Sequence, residues 1–440
     1  VALIEGGGLE YSEQSQNIYR GVVKGDPYFD LDVTRLRYFG GSTNCWGGGC
    51  GELDEEDLRV SLLFDRLKEL NEELTEHGKK IHVLYGKPSE VIDGLYSNTP
   101  FDACFTNTDY EPYATERDGL IHDSLKSKGV AFHSFKDQVI FEKDEILTDM
   151  GKPYGVYTPY MKKWKSKFKI SMTHPYPSQE LLEKCTVIDD LKCVESIEQL
   201  GFIYSSYKLH KSNLDYRTLI DYDINRDIPD LDGTSNTSVH LRFGFLSVRE
   251  IASIAFQYSE PLLNELIWRS FFTQVLWHNP QVVTSCYKEK YNRLKWNDTT
   301  LFKKWKYGLT GFPIVDAGMR QLFDTGYMHN RVRMIAASFL VKNLGIDWRL
   351  GEAYFASKLM DFDLASNNGN WQWVAGTGCD ASPYFRVFNP DTQLQKFDPN
   401  LKYCKKWIEE LRDDGYYPVK KIADVKSSRL ESIARYKACQ

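Results

Sequence analysis

The chain has 440 residues, 42% hydrophobic and 26% charged, enough for two or three ordinary domains around a large core, so collagen, coiled coil and bulk disorder are excluded. No apolar run is long enough to span a bilayer, and a soluble globular protein is expected. The net charge of −6 argues against a coat of basic nucleic-acid-binding tails and leaves one local basic groove open.

The chain begins at Val1 with no initiator Met, basic n-region or cleavage site, which reads as a start inside a gene rather than a secretion signal. Residues 1–52 are Gly-rich: a short strand over 1–4, a loop, then GGSTNCWGGGC. From about Asp57 the pattern changes. It predicts an amphipathic helix over 60–77, a strand over 81–86, a short helix near 89–96, a strand around 101–106 and a helix near 117–128. Strands over 130–133 and 139–141 follow. Strands alternating with helices of this length point to a parallel sheet. The basic stretch YMKKWKSKFK (160–169) reads as a solvated helix end with its aromatics packed inward. A polar connection with Pro175 and Pro177 runs to about Leu200, and beyond it the pattern is almost wholly helical. The fold class is therefore α/β plus all-α. Nine cysteines form no CxxC and no zinc-ligand spacing, which fits a reducing compartment and predicts no metal site.

Chemistry concentrates in the helical half, where eight of the ten tryptophans fall between Trp268 and Trp407. In HNRVRMIAASFLVKN (329–343) one face is the apolar stripe Val332, Ile335, Ala336, Phe339 and Leu340. A second face, Asn330, Arg333, Met334 and Ala337, obeys the same spacing. An Arg in so apolar a helix needs a partner, because an unpaired buried charge costs several kcal/mol. MDFDLASNNGNWQW (360–373) offers Asp361 and Asp363, with Asn367 one helical turn after Asp363. Two carboxylates, an amide and a guanidinium can satisfy the polar edge of a bound heterocycle; a helix-capping cluster is the simpler reading. GTSNTS (233–238) is a helix N-cap by the ordinary reading and a phosphate cradle by the other. ELIWRSFF (265–272) sets Glu265, Trp268 and Arg269 on neighbouring helical positions. Trp296, Trp305, Trp348, Trp371 and Trp373 are most simply core.

These segments, from WNDTTLFKKWKYGLTGFPIVDAGMRQLF through DFDLASNNGNWQWVAGTGCDASPYFRVFNP, closely resemble the FAD-binding region of the photolyase/cryptochrome family, and the likeness covers about 53–440. It is most like the class I cyclobutane pyrimidine dimer photolyases. The resemblance implies a helical domain holding FAD, active in its reduced form, beside a pocket for a pyrimidine dimer flipped out of DNA. By this resemblance Tyr222, Thr234, Ser235, Asn236, Thr237, Ser238 and Arg269 hold the flavin phosphates and ribityl chain. Asn330, Arg333, Asp361 and Asp363 surround the isoalloxazine, with Arg333 and Asp361 paired, and Asn367 faces flavin N5. Trp268 and Trp373 wall the dimer pocket, Glu265, Asn330 and Met334 form its floor, and Arg331, Arg386 and Lys396 contact phosphates beside the lesion. Trp371, Trp348 and Trp296 fall at electron-relay positions. The charge total then conceals a local expectation: Arg269, Arg331, Arg386 and Lys396 ring one pocket while the acids lie elsewhere.

Residues 1–52 break the pattern. VALIEGGG and RYFGGSTNCWGG resemble pieces of a glucose-methanol-choline type flavin oxidoreductase, where an acid such as Glu5 binds ribose, and they read as a foreign graft. The expected division is 1–52 graft, 53–160 truncated α/β antenna domain, 161–200 linker and 201–440 helical FAD-binding domain. NTDYEPYATERD (107–118) is similar to an antenna motif in which Asp109, Glu111 and Arg117 bind a deazaflavin, so a second chromophore, deazaflavin or folate, is one reading; a surface turn leading into a helix is the other. The function implied is light-driven repair of pyrimidine dimers by a monomer acting on UV-damaged DNA in a bacterial-type cytoplasm, at the nucleoid, with no membrane partner. A cryptochrome-like blue-light receptor without repair activity is the alternative, and the absence of a long tail after the last motif counts against it.

Overall fold

The computed structural model describes Ala2–Ile4 and residues 55–440, except 177, 189–190, 206–208, 413–416 and 440. The graft expected over 1–52 therefore lies outside the described residues, apart from strand β1 (Ala2–Ile4). Helix α1 (Glu55–Thr75) leads to β2 (His82–Leu84), α2 (Pro88–Asn98), β3 (Ala103–Asn107), α3 (Pro112–Ser127) and β4 (Ala131–Phe135). Pro88 and Pro112 open their helices at the position where a missing N–H costs nothing and a fixed φ helps. That is why α3 starts ahead of the expected residue 117. β1 pairs parallel with β2, Ala2 opposite His82. β3 pairs parallel with β4, Phe105 opposite His133, and α3 is the crossover that a parallel pair requires. Ile92, Ile121, Leu125 and Val130 form a small core under α2 and α3.

The expected strand at 139–141 is irregular chain instead. Its apolar side chains are buried, and Ile140 and Phe141 join the helical core beside Trp164. So short an apolar run has no period with which to separate a strand from a buried loop. In α4 (Tyr157–Lys167), Tyr160 and Trp164, one turn apart, are buried, as expected.

The helical half follows with α5 (Ser238–Arg242), α6 (Val248–Tyr258), α7 (Glu260–His278), α8 (Pro313–Thr325), α9 (Asn330–Ser338), α10 (Trp348–Lys358), α11 (Leu364–Ala375), α12 (Pro390–Phe397) and α13 (Val425–Lys437). α7 buries Leu262, Leu263, Leu266, Ile267, Phe271 and Phe272, the all-round apolar pattern of a helix enclosed on several sides; α4, α6 and α11 pack against it. One large core gathers α4, α6, α7 and the first turn of α11, and a second gathers α8, α9, α10 and the rest of α11. α11 belongs to both, so a cavity lined from the two cores opens along it. Among the described residues no helix is long and apolar enough to cross a membrane.

Candidate active site

The cavity has a volume of about 540 Å³, and its lining includes Tyr222, Thr234 through Ser238, Glu265, Trp268, Arg269, Asn330, Arg331, Arg333, Met334, Asp361, Asp363, Asn367, Trp371 and Trp373. Segments separated by more than a hundred residues in sequence thus meet where sequence reasoning grouped them. α9 presents the expected second face: Asn330, Arg333, Met334 and Ala337 all reach the cavity, while Val332, Ile335 and Ala336 are buried behind it.

At one end lies the Ser/Thr segment. Ser235 and Thr237 are buried with their hydroxyls 3.0 Å apart, and Thr234 donates to Asn236 Oδ1 at 3.0 Å. Asn236 has φ +51, a left-handed conformation that Asn tolerates better than most residues. Arg269 donates to the Gln138 carbonyl at 2.5 Å; burial pulls its guanidinium down, and Asp363 opposes that. Asp363 accepts from Ser366 N at 2.8 Å as the N-cap of α11, so the capping reading holds for Asp363 and not for Asp361 or Asn367. The same carboxylate lies 3.8 Å from Arg242. Burial alone would raise its pKa, but Arg269, Arg242 and the Ser366 bonds hold it below the usual carboxylate range. The hydroxyls and the two guanidiniums form a donor set suited to a diphosphate, and the carboxylate between them can accept from hydroxyls of a flanking polyol.

Further along, Arg333 grips Asp361 with both terminal nitrogens, Nη1 to Oδ1 at 3.1 Å and Nη2 to Oδ2 at 2.9 Å, and donates from Nε to the Met328 carbonyl at 2.7 Å. Burial works against the charged guanidinium, yet Asp361 raises its pKa overall. Asn367 donates from Nδ2 to the Glu352 carbonyl at 3.0 Å and to Glu352 Oε1 at 2.9 Å. Glu352 is fully buried, so the amide of Asn367 is fixed and its oxygen remains for the cavity. A planar heterocycle with alternating donors and acceptors fits between these groups, and the whole set is compatible with FAD.

Aromatic walls frame the mouth. Trp268 is stacked on Tyr157 with ring centroids 3.6 Å apart. Glu265 accepts from Tyr222 Oη and from Arg226 Nη1, both at 2.7 Å. Burial raises the Glu265 pKa against these partners. Arg331 donates to Asp227 at 2.5 Å, stands 4.7 Å over the Phe397 ring and touches Met334 Sδ at 3.7 Å.

Several expectations need correction. The acids do not lie elsewhere: Asp227, Glu265, Asp361 and Asp363 line the cavity with the arginines, because burying guanidiniums requires carboxylates beside them. Arg386 and Lys396 are not in the lining; both are exposed, Arg386 over Phe388 and Lys396 over Phe397, the ring that Arg331 also covers. Tyr222 donates to Glu265 and also meets the Ser235 hydroxyl, so it lines the cavity beside the Ser/Thr segment. Trp348 and Trp296, for which no place in the lining is expected, stand outside it. Trp348 is fully buried and Trp296 packs at the edge of the same core, whereas the ring neighbours of Trp371 are Phe355 at 5.0 Å and Trp305 at 6.2 Å. In the antenna motif, Asp109 caps the backbone of Tyr110 and Glu111, Arg117 pairs with Asp118, and Glu111 pairs with the cavity residue Arg242 at 3.2 Å. The turn-into-helix reading therefore fits best. Among the described residues no group of three His, Cys, Asp or Glu is placed to hold a metal.

Sequence reasoning missed Arg226, Asp227, Arg242, Glu352 and Tyr157. Glu352 could have been found by the rule that found Arg333, as a charge in the apolar helix WRLGEAYF. Tyr157 left no local signal, since its partner is more than a hundred residues away.

Comparison with known proteins agrees with this geometry. Residues 262–438 match the family profile of the FAD binding domain of DNA photolyase, and residues 50–180 match that of DNA photolyase. A curated relative from Halobacterium salinarum, named deoxyribodipyrimidine photo-lyase, is 38% identical over 81% of this chain and 79% of its own. Among solved structures, a bacterial class III photolyase from Agrobacterium tumefaciens superposes with a TM-score of 0.78 at 30% identity, covering 89% of this chain and 90% of its own. An archaeal photolyase from Sulfolobus tokodaii with two FAD molecules gives 0.71 at 32% identity, covering 87% and 89%.

Proposed function

The chain belongs to the DNA photolyase family, and on that footing we propose that it repairs cyclobutane pyrimidine dimers in DNA by light-driven electron transfer from reduced FAD. The observation that carries the reading is one cavity that joins the Arg333–Asp361 pair and the fixed Asn367 amide to the walls Trp268 and Trp373. The cryptochrome-like alternative is not favoured, because the curated relatives carry the photo-lyase name. The class I expectation is not carried further, since a class III photolyase is among the similar structures.

FAD, when bound, supplies the absorption of light and the loan of one electron that opens the cyclobutane ring. The protein's part is orientation and electrostatics. Ser235, Thr237, Arg242 and Arg269 hold the diphosphate side. Arg333 and Asp361 would present a donor and an acceptor to the polar edge of the ring system, and the Asn367 amide, fixed by Glu352, would hold its oxygen toward the ring. Trp268 and Trp373 stack on the flipped bases, with Glu265, Asn330 and Met334 beneath them. Arg331 meets a phosphate beside the lesion, with Arg386 and Lys396 further out on the surface. Trp371, Trp348 and Trp296, which share one core, would form the path by which electrons reach the bound cofactor. The second-chromophore reading rests on the antenna-like motif, whose Glu111 pairs with Arg242, and on the similar archaeal photolyase with two FAD molecules.

The division at 52, 160 and 200 is retained as a proposal, with 140–168 packing its core into the helical half. A monomer working in the cytoplasm completes the reading. The test is binding: FAD-loaded protein is expected to prefer a dimer-containing oligonucleotide over an undamaged one. Stacking is worth about 1–3 kcal/mol per base, so Trp373→Ala should weaken dimer binding about tenfold or more at unchanged FAD content. Loss of FAD would mean that Trp373 belongs to the cofactor site instead.

A further inference from the structure

Trp268 is expected to be a wall of the lesion pocket, and a wall useful for stacking must hold its angle before the base arrives. Tyr157 is the group that fixes it. Its ring lies parallel to Trp268 within 6° at a centroid distance of 3.6 Å, covering one face of the indole while Trp268 lines the cavity. The Tyr157 hydroxyl donates to the Asn264 carbonyl at 2.9 Å. Asn264 sits one turn before Trp268 on α7, so Tyr157 spans that turn and Trp268 cannot rotate about its side-chain bonds without losing the stack.

The clamp is tied in turn to the other wall. The Tyr157 backbone N–H donates to Asp380 Oδ2 at 3.0 Å across 223 residues of sequence. Asp380 has φ +46, a left-handed conformation that Asp tolerates better than most non-glycine residues. It belongs to the segment after α11 that folds back so that Ser382 N donates to the Trp373 carbonyl at 3.1 Å. The connection therefore runs from Trp268 through Tyr157 and Asp380 to Trp373.

We propose that Tyr157 and Asp380 are positioning residues that set the spacing of the two lesion-stacking tryptophans and so determine selectivity for flipped bases over intact DNA. The proposal rests on the lesion-pocket reading of Trp268 and Trp373. Neither residue touches the substrate. They remove the ordering cost that a mobile indole would add to each binding event, a cost that falls on lesion binding and not on phosphate contacts.

The experiment measures dissociation constants of FAD-loaded wild type, Tyr157→Ala, Tyr157→Phe, Asp380→Ala and Asp380→Asn for dimer-containing and undamaged oligonucleotides, with bound FAD and the repair rate at saturating substrate. Tyr157→Ala should weaken dimer binding about tenfold while undamaged DNA, FAD content and saturated repair change less than about twofold. Tyr157→Phe keeps the stack and should stay within about threefold of wild type. Asp380→Ala should lose about threefold to fivefold, and Asp380→Asn, which retains an acceptor oxygen, should recover it. Dimer binding unchanged in Tyr157→Ala, a parallel loss on undamaged DNA, or loss of FAD would each overturn the proposal. Should Tyr157→Ala not fold, the Asp380 pair decides by the same criteria, equal behaviour of Ala and Asn counting against it. A wild type that shows no preference for dimers would instead overturn the lesion-pocket reading on which the proposal stands.

Discussion

Asp361 accepts both terminal nitrogens of Arg333 while its own side chain is only 5% exposed, so removing either partner strands a charge. Asp361→Ala should cost about 3–5 kcal/mol of stability and release FAD. Adding Arg333→Met should restore part of the stability and none of the flavin. Recovery of both would show that the pair is structural only, and the flavin absorbance of purified protein beside a denaturation curve distinguishes the cases. His329 makes a second residue-scale prediction. Burial pushes its imidazole down to about 4 from an ordinary value of 6.5. Above about pH 6.5 the ring is neutral in folded and unfolded chains alike. Between there and about pH 4 the unfolded chain binds a proton that the folded chain refuses, so stability falls as pH falls, by about 1.4 kcal/mol per unit at the steepest. His329 Nδ1 caps α9 by accepting from Arg331 N, a role that Asn can keep. From pH 6.5 to 5 wild type should therefore lose about 2 kcal/mol more than His329→Asn, and parallel losses would contradict the assignment. Arg333 and Asp361 were legible because a lone guanidinium in an apolar helix demands a carboxylate. Arg226 and Asp227 were not, because they sit in a polar loop where charge raises no question.

Elements carry the geometry through close approaches that only glycine permits. A Cβ at Gly351 would come within 2.2 Å of the Trp371 ring and 2.5 Å of Leu340, and one at Gly369 within 2.2 Å of Phe272. These two glycines bring α10 and α7 against α11 and so set where Trp371 lies. Gly351→Ala should cost about 1–3 kcal/mol by overpacking. By displacing Trp371 it should slow photoreduction of oxidised flavin more than repair by pre-reduced protein, and equal slowing would argue against Trp371 as the inner relay. The two faces of α9 could be read from spacing alone. α11 could not, because its buried Leu364, Asn367, Trp371 and Val374 share one face that mixes an amide with apolar side chains, so spacing does not separate a cavity side from a core side. Its role came from the resemblance. The misread strand at 139–141 failed for a different reason, since so short a run has no period.

For the molecule as a whole, a net charge of −6 proves to be a poor guide to partners. The cavity interleaves arginines with carboxylates, and the cations expected to meet DNA, Arg386 and Lys396, lie outside it on the surface. The total averages these arrangements away. Among the described residues the α/β part is small beside the two helical cores, and its β3–β4 pair leaves Phe105 and Phe135 66% and 56% exposed. Function therefore rests on the helical half, where sequence and structure agree most closely. The direct measurement is blue-light illumination of reduced, FAD-loaded protein with an oligonucleotide carrying one thymine dimer, followed by quantitation of remaining dimers. The account predicts their loss in the light and their persistence in the dark; dimers that survive illumination while FAD is demonstrably bound would contradict it.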